Sequence, residues 1–403
     1  MGTPAGPSVV VIGGGVIGLS LAWRAAQRGL AVTVADPDPG KGASYAAAGM
    51  ITPVSEAAYA ERELYQLGVA AQQQYAAFAA ELTGATGLPT GYRQAGTLQV
   101  AWDSDDLAVL GEFRALQESF GVTVQPLTGR ECRAAEPLLD PSVRGGLLAP
   151  DDASVDPRLL TSALLMAATG AGVRLIRSAA VEVTVTGGRA DGAVLADGTG
   201  LRADWVVLAA GWRSGSLAGL PPDAVPPVRP VKGQILRLRP GPGGPVPGGT
   251  VAGGSAPGGP PGLLTRTVRG IVQGSSVYLV PRDSGELVVG ATQEEMGSDT
   301  RVTAGGVWEL LRDARAIVPG ITELELAEAV AGLRPGTPDN APVLGPSCLP
   351  GLVLATGHFR AGVLLAPVTA DLISGYLATG ELDGRAAPFG PGRFSPVRQE
   401  ARR

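Results

Sequence analysis

The sequence predicts an α/β protein: one domain on a parallel sheet, and a second α+β domain built on an antiparallel sheet. Three observations predict it. SVVVI (8–12), the apolar segment after it and AVTVADP (31–37) read as strand, helix and strand, the unit that opens a parallel sheet. ADWVVLAAG (203–211) and GLVLATG (351–357) are short buried runs that end in glycine turns, as parallel strands do. VKGQILRLR, SVYLVPR and ELVVGAT alternate apolar with polar and read as an antiparallel sheet. The first domain is therefore Rossmann-like.

Taken in order, the helix after SVVVI starts at the glycines and ends at Gly29. Residues 56–82, rich in Ala, Glu, Gln and Leu, predict a helix. GTLQVAW (96–102) and VTVQPL (122–127) predict strands, with a helix near 104–118 between them. DPRLLTSALLMAATGAG predicts a helix from Asp156 to about Thr169, with Pro157 in its first turn. GVRLI, AAVEVTVTG and GAVLADG predict a small meander, and VWELLRDARAIVP a helix. GLVLATG leads into a last helix. The expected organisation is discontinuous: residues 1–90, 145–222 and 332–385 form the first domain, 91–144 and 223–331 the second, and 386–403 a tail. The Gly/Pro-rich stretch 240–262 cannot bury enough apolar surface to offset its ordering, and reads as a surface loop or a lid over a site.

The totals exclude several classes. Net charge is −5, and Lys41 and Lys232 are the only lysines, so no nucleic-acid surface is expected. Cys132 and Cys348 are isolated, which points to neither a disulfide framework nor a metal site. Pro367 and Asp371 interrupt the longest apolar run, so no membrane span is expected, and the N-terminus lacks a signal-peptide pattern. A cytoplasmic protein is the expectation.

Gly13-x-Gly15-x-x-Gly18 sits between the first strand and helix. Gly13 permits the tight turn, Gly15 lets backbone approach a pyrophosphate, and Gly18 lets helix and strand pack closely. Helix N–H groups then point at the phosphates, and Asp36 ends the second strand, placed to accept from ribose hydroxyls. NAD and FAD share this fingerprint, so it leaves the two open. GASYAAAGM (42–50) reads, from its residues alone, as an ordinary Ala-rich helix start or as an irregular small-residue stretch that lets backbone approach a planar ligand.

VVVIGGGVIGLSLAWRAAQRG, GASYAAAGM, ADWVVLAAGWRSGSL, AGLRPGTPDNAPVLG and ATGHFRAGVLLAP, in this order, resemble the D-amino-acid oxidase class of flavoproteins, and within it the glycine oxidase branch linked to thiamine biosynthesis. The resemblance implies non-covalent FAD on a glutathione-reductase-type domain. It implies that Val16 and Ile17 meet the pyrophosphate, and that Asp36 and Pro37 lie at the adenosine ribose. Ala43, Ser44, Ala48, Gly49 and Met50 would line the flavin side, and Val181 would reach the adenine end through its backbone. His358, Phe359, Arg360, Ala361, Gly362, Val363 and Leu364 would lie along the flavin's pyrimidine edge. A helix N-terminus there suits a reduced flavin's negative charge. His358, the only histidine, is expected to be a positioned structural residue, since hydride transfer from a neutral amine to flavin N5 needs no protein base.

Arg334 ends an apolar strand before Pro335-Gly336, which from the residues alone fits a carboxylate clamp or a solvated strand end equally. The resemblance implies the clamp. It also implies that the Tyr278 hydroxyl reaches the carboxylate, against a core tyrosine on an alternating strand, and that Arg360 is a second substrate-side or flavin-side group. Gln293 stands where the resemblance implies an apolar residue, which leaves the pocket's size and polarity open. The implied reaction is oxidation of glycine by oxygen to glyoxylate, ammonia and hydrogen peroxide, with sarcosine or small D-amino acids as further substrates, in a homo-oligomer. The alternatives are a D-amino-acid dehydrogenase feeding a quinone or carrier, an enzyme acting on a modified tRNA base, and a flavin-binding subunit without turnover.

Overall fold

The computed structural model describes residues 6–122, 124–241 and 262–394; the Gly/Pro-rich stretch, apart from its ends, and the last part of the tail lie outside them. The chain divides into two compact units, Met1–Gly42 with Thr161–Pro230 and Arg334–Arg403, and Ala43–Leu160 with Val231–Leu333. Residues 43–90 and 145–160, assigned from sequence to the first domain, are grouped with the second unit. Met50–Ile51 pairs there with Ala153–Ser154, a long-range pairing with no local signal.

The first unit is built on a six-stranded sheet in the order Val343–Pro346, Leu352–Thr356, Trp205–Leu208, Ser8–Ile12, Ala31–Ala35, Arg174–Ile176. All neighbours run parallel except the Val343–Pro346 edge. Strands covered on both faces must be apolar throughout, and Val9, Val10, Val11 and Ile12 are all buried. Val10, Ile12, Val206, Leu208, Leu352 and Leu354 form one core with Val183, Ala190, Ala193 and Leu195 of an antiparallel meander. The residues between them point to the opposite face. Arg174–Ile176 corrects the sequence reading: it pairs with Ala31–Ala35 at the edge of the parallel sheet, leaving Ala180–Thr186, Arg189–Leu195 and Gly200–Arg202 as the meander. A three-residue run does not carry its pairing partner in its own pattern.

Helix Val16–Gln27 packs along helix Gly362–Thr379. The latter is long and apolar enough to cross a membrane by length and composition, but 67% of it is buried, as in a core helix. Asp371, which interrupts its apolar run, lies 3.5 Å from Arg24 and 3.7 Å from Arg28.

The second unit carries an eight-stranded sheet in the order Glu325–Gly336, Arg229–Arg239, Leu287–Gly290, Ser275–Pro281, Thr267–Val272, Thr97–Ala101, Gly145–Ala149, Gln125–Thr128. From Arg229–Arg239 onward the pairs are antiparallel, except for Thr267–Val272 beside Thr97–Ala101. One face is apolar: Leu98, Val268, Leu279, Val289 and Leu236 pack with Leu310, Ala314 and Ile317 of helix Ala304–Ile317. The alternate residues, Gln99, Arg269, Tyr278 and Ile235 among them, occupy the other face. The predicted 56–82 helix is instead Arg62–Thr86, closed by Gly87 in the left-handed conformation (φ 70°). Residues 53–60 form turns, with Ala60 at φ 63°, a conformation a helix cannot include.

Candidate active site

In the first unit three chain turns meet at the C-terminal ends of adjacent parallel strands, where ligands bind in open α/β sheets. After Ser8–Ile12, Gly13 takes φ 110°, a backbone conformation that a side chain would strain, and a Cβ there would collide with the Ala209 carbonyl. A Cβ on Gly18 would fall on the Gly13 carbonyl oxygen, so helix and turn touch backbone to backbone. After Trp205–Leu208, Ala209 N–H donates to the Ile12 carbonyl (2.9 Å). After Leu352–Thr356, the Thr356 hydroxyl donates to the Gly211 carbonyl (2.9 Å) and accepts from Ser214 (2.9 Å).

These residues fit the nucleotide of FAD. No side chain caps helix Val16–Gln27 at Gly15, nor helix Gly362–Thr379 at Ala361, and each N-terminus presents the positive end of a helix dipole. The Asp36 carboxylate accepts from Gly14 N–H (2.6 Å) and Asp38 N–H (2.8 Å). The acid that the fingerprint reserves for ribose therefore also braces the glycine turn. A carboxylate offers about four acceptor sites, so capacity for ribose hydroxyls remains. Val16 and Ile17 are buried at the helix start, Pro37 is exposed, and Val181 is an exposed meander residue whose carbonyl accepts from Ala218 (3.0 Å).

The structure brings the Arg334 and His358 motifs together. Phe359, held in the left-handed region at φ 46°, donates its N–H to the Pro335 carbonyl (2.9 Å). Such a conformation costs a residue with a Cβ on the order of 1 kcal/mol, and the bond to Pro335 helps fix it. Arg334 and Arg360 are half-buried, and the Arg360 guanidinium lies 5.6 Å from the Phe359 ring centroid.

His358 is 2% exposed, with Nε2 3.1 Å from the Thr369 hydroxyl. Burial pushes its pKa down to about 3, so the imidazole is neutral across the physiological range. The unfolded chain protonates this group near pH 6.5, the folded chain only near pH 3. The stability it carries is complete above the first value and is lost as pH falls toward the second. His358→Asn is expected to retain most turnover and to flatten the acid limb of the melting-temperature profile. Loss of turnover by several orders of magnitude with flavin still bound would refute the structural role.

In the second unit Tyr278 and the 46–50 segment come together. Ala48, Ile235, Val280 and Val288 form a buried cluster on which Ala46, Met50, Tyr278 and Val330 pack. Ser44, Ala48 and Gly49 are buried, while Ala43 is exposed. A Cβ on Gly290 would overlap the Tyr278 phenol, so the glycine makes the bed in which the ring lies. Gly290→Ala should displace the ring, at an overpacking cost of about 1–3 kcal/mol read as a lowered melting temperature; an unchanged melting temperature would show that the ring can yield without cost. Gln293 is exposed.

Sequence reasoning missed Arg282. It is buried and donates to the Ala48 carbonyl (2.5 Å) and the Val155 carbonyl (2.9 Å), with Asp156 3.7 Å from its Nε. Burial pulls its pKa down to about 10, opposed by the Asp156 charge. It also missed Arg158, which stacks on Tyr45 (3.6 Å) and pairs with Glu328 (2.7 Å) behind the one-turn helix Ala43–Ala46. The arginine at the end of SVYLVPR was the available signal for Arg282, since a cation closing an apolar strand needs acceptors.

The family model described as "DAO: FAD dependent oxidoreductase" matches residues 8–375. The chain is 35% identical over 388 residues to the bifunctional protein ThiO/ThiG of Synechocystis sp., covering 96% of this chain and 54% of that protein. It thus spans about half the length of the ThiO/ThiG relatives. It is 33% identical to the glycine oxidase of Geobacillus kaustophilus, covering 94% of this chain and 95% of that one. The crystal structure of glycine oxidase from Geobacillus kaustophilus superposes with a TM-score of 0.83 at 31% identity, over 97% of this chain and 100% of that one.

Proposed function

The chain belongs to the family of FAD-dependent oxidoreductases described by the DAO model, and from that premise we propose that it oxidises the amine of glycine, or of sarcosine or a small D-amino acid, with oxygen as the acceptor. One observation carries the reading: the strand end bearing Arg334 is hydrogen-bonded through Pro335 to the turn that opens helix Gly362–Thr379. A guanidinium able to fork onto a carboxylate is thereby tied to a helix N-terminus able to stabilise an anion.

When bound, FAD supplies the acceptor for the Cα hydride and passes the electron pair to oxygen as hydrogen peroxide. The residues of the chain orient and stabilise. Arg334 is assigned the substrate carboxylate, and Arg360 is kept as a second substrate-side or flavin-side cation. The Tyr278 hydroxyl is assigned a substrate hydrogen bond, supported by the ring's place beside Ala48 and Met50. Buried and neutral, His358 holds the turn and takes no proton. With glycine the amine would enter uncharged, its lone pair would favour loss of the hydride, and the imine would take up water to give glyoxylate and ammonia. A place in thiamine thiazole synthesis, which the resemblance implies, and a cytoplasmic homo-oligomer are part of the same proposal.

The test is anaerobic mixing of the yellow protein with glycine, sarcosine and D-alanine in turn. Bleaching by glycine, followed by oxygen uptake and peroxide on aeration, is expected. No bleaching by any of the three ends the reading, and bleaching without oxygen uptake replaces the oxidase by a dehydrogenase.

A further inference from the structure

We propose that Arg269 is a positioning residue for the substrate end of the site, setting Met50 beside Tyr278 through its ion pair with Glu56. The inference rests on the reading of Tyr278 as a substrate ligand given above.

The placement follows from register. Arg269 lies directly opposite Tyr278 on one neighbouring strand and opposite Gln99 on the other. Residues opposite one another share a face, so the Arg269 side chain stands on the Tyr278 face and not on the one packed against helix Ala304–Ile317. Its Nη1 donates to Glu56 Oε1 (2.8 Å) and lies 3.8 Å from Met50 Sδ. The two charged side chains are 23% and 17% exposed, so the pair is partly shielded from water and is held more firmly than a surface pair. Glu56 ends a turn in which its N–H donates to the Thr52 carbonyl (3.0 Å).

The segment 50–56 is thus pinned twice. Met50 is held by pairing with Ser154, and Glu56 is held by Arg269. Met50 packs on the same four-residue cluster as Tyr278. The charge of Arg269 is matched by Glu56, which suits a group that acts through Met50 rather than one that binds the substrate carboxylate itself. The pair makes opposite predictions for those two roles: a positioning pair fails when either partner is removed, whereas a substrate ligand becomes more available when Glu56 is neutralised.

The experiment compares Arg269→Gln, Glu56→Gln, the double variant and Tyr278→Phe as FAD-loaded full chains. Flavin absorbance is titrated with glycolate, which has a hydroxyl in place of glycine's amine, and KM and kcat are measured for glycine. Each single pair variant is expected to raise the glycolate Kd and the glycine KM about tenfold, with kcat much less affected, and the double variant to add little. If Arg269→Gln fails to fold, Arg269→Lys keeps the charge without the fork and should loosen glycolate by a smaller factor. Tighter glycolate binding by Glu56→Gln would overturn the inference in favour of direct contact. Unchanged constants in both pair variants, with Tyr278→Phe weakened, would overturn it while leaving the functional reading intact. Unchanged constants in all variants would remove Tyr278 from the site and the inference with it.

Discussion

Gly18→Ala is expected to yield a colourless protein that retains less than about a tenth of the wild-type flavin, because removing even one close backbone approach at a pyrophosphate turn defeats the fingerprint. The new Cβ would fall on the Gly13 carbonyl oxygen. Two backbones cannot yield as a flexible side chain could, so helix Val16–Gln27 must move away from the turn. That shift would withdraw the helix N-terminus from the proposed phosphate position and open the contact between Gly13 and Ala209. Gly84→Ala is the control: it lies in helix Arg62–Thr86 with nothing within 4 Å of a new Cβ, and should keep full flavin. Flavin released on denaturation, measured per mole of protein, decides the matter. A yellow, stoichiometric Gly18→Ala would show that the turn is not the nucleotide site.

Arg334→Ala is expected to raise the KM for glycine by at least about tenfold, since a charge-assisted contact is worth on the order of 1.5–3 kcal/mol. Flavin content should be unchanged, because the glycine turns do not depend on this side chain. Arg334→Lys should fall between the two, keeping the charge but losing the planar fork. Glycine kinetics that match the wild type in Arg334→Ala would return this residue to an ordinary strand-end arginine and leave the proposed substrate without its anchor.

Much of this was legible from local pattern. The run SVVVI, the three spaced glycines and the acid at position 36 specify strand, turn and helix within a short stretch, because each choice answers to its immediate neighbours. The alternation in SVYLVPR and ELVVGAT likewise located two strands of the antiparallel sheet. The reading of His358 as structural is left to the His358→Asn test; what tertiary structure adds is that the ring is buried against Thr369.

What sequence alone determined, then, was where backbone must turn tightly and which runs must be covered on both sides. Tertiary structure decided which distant segments became partners: Arg174–Ile176 joined the parallel sheet, Arg282 took the Ala48 carbonyl, and Arg269 took Glu56 beside Tyr278. The physical reason is one of range. Steric limits and hydrophobic period act between residues a few positions apart and are written in the local sequence. An ion pair or a strand pairing between residues far apart in the chain depends on where the folded chain has already carried both.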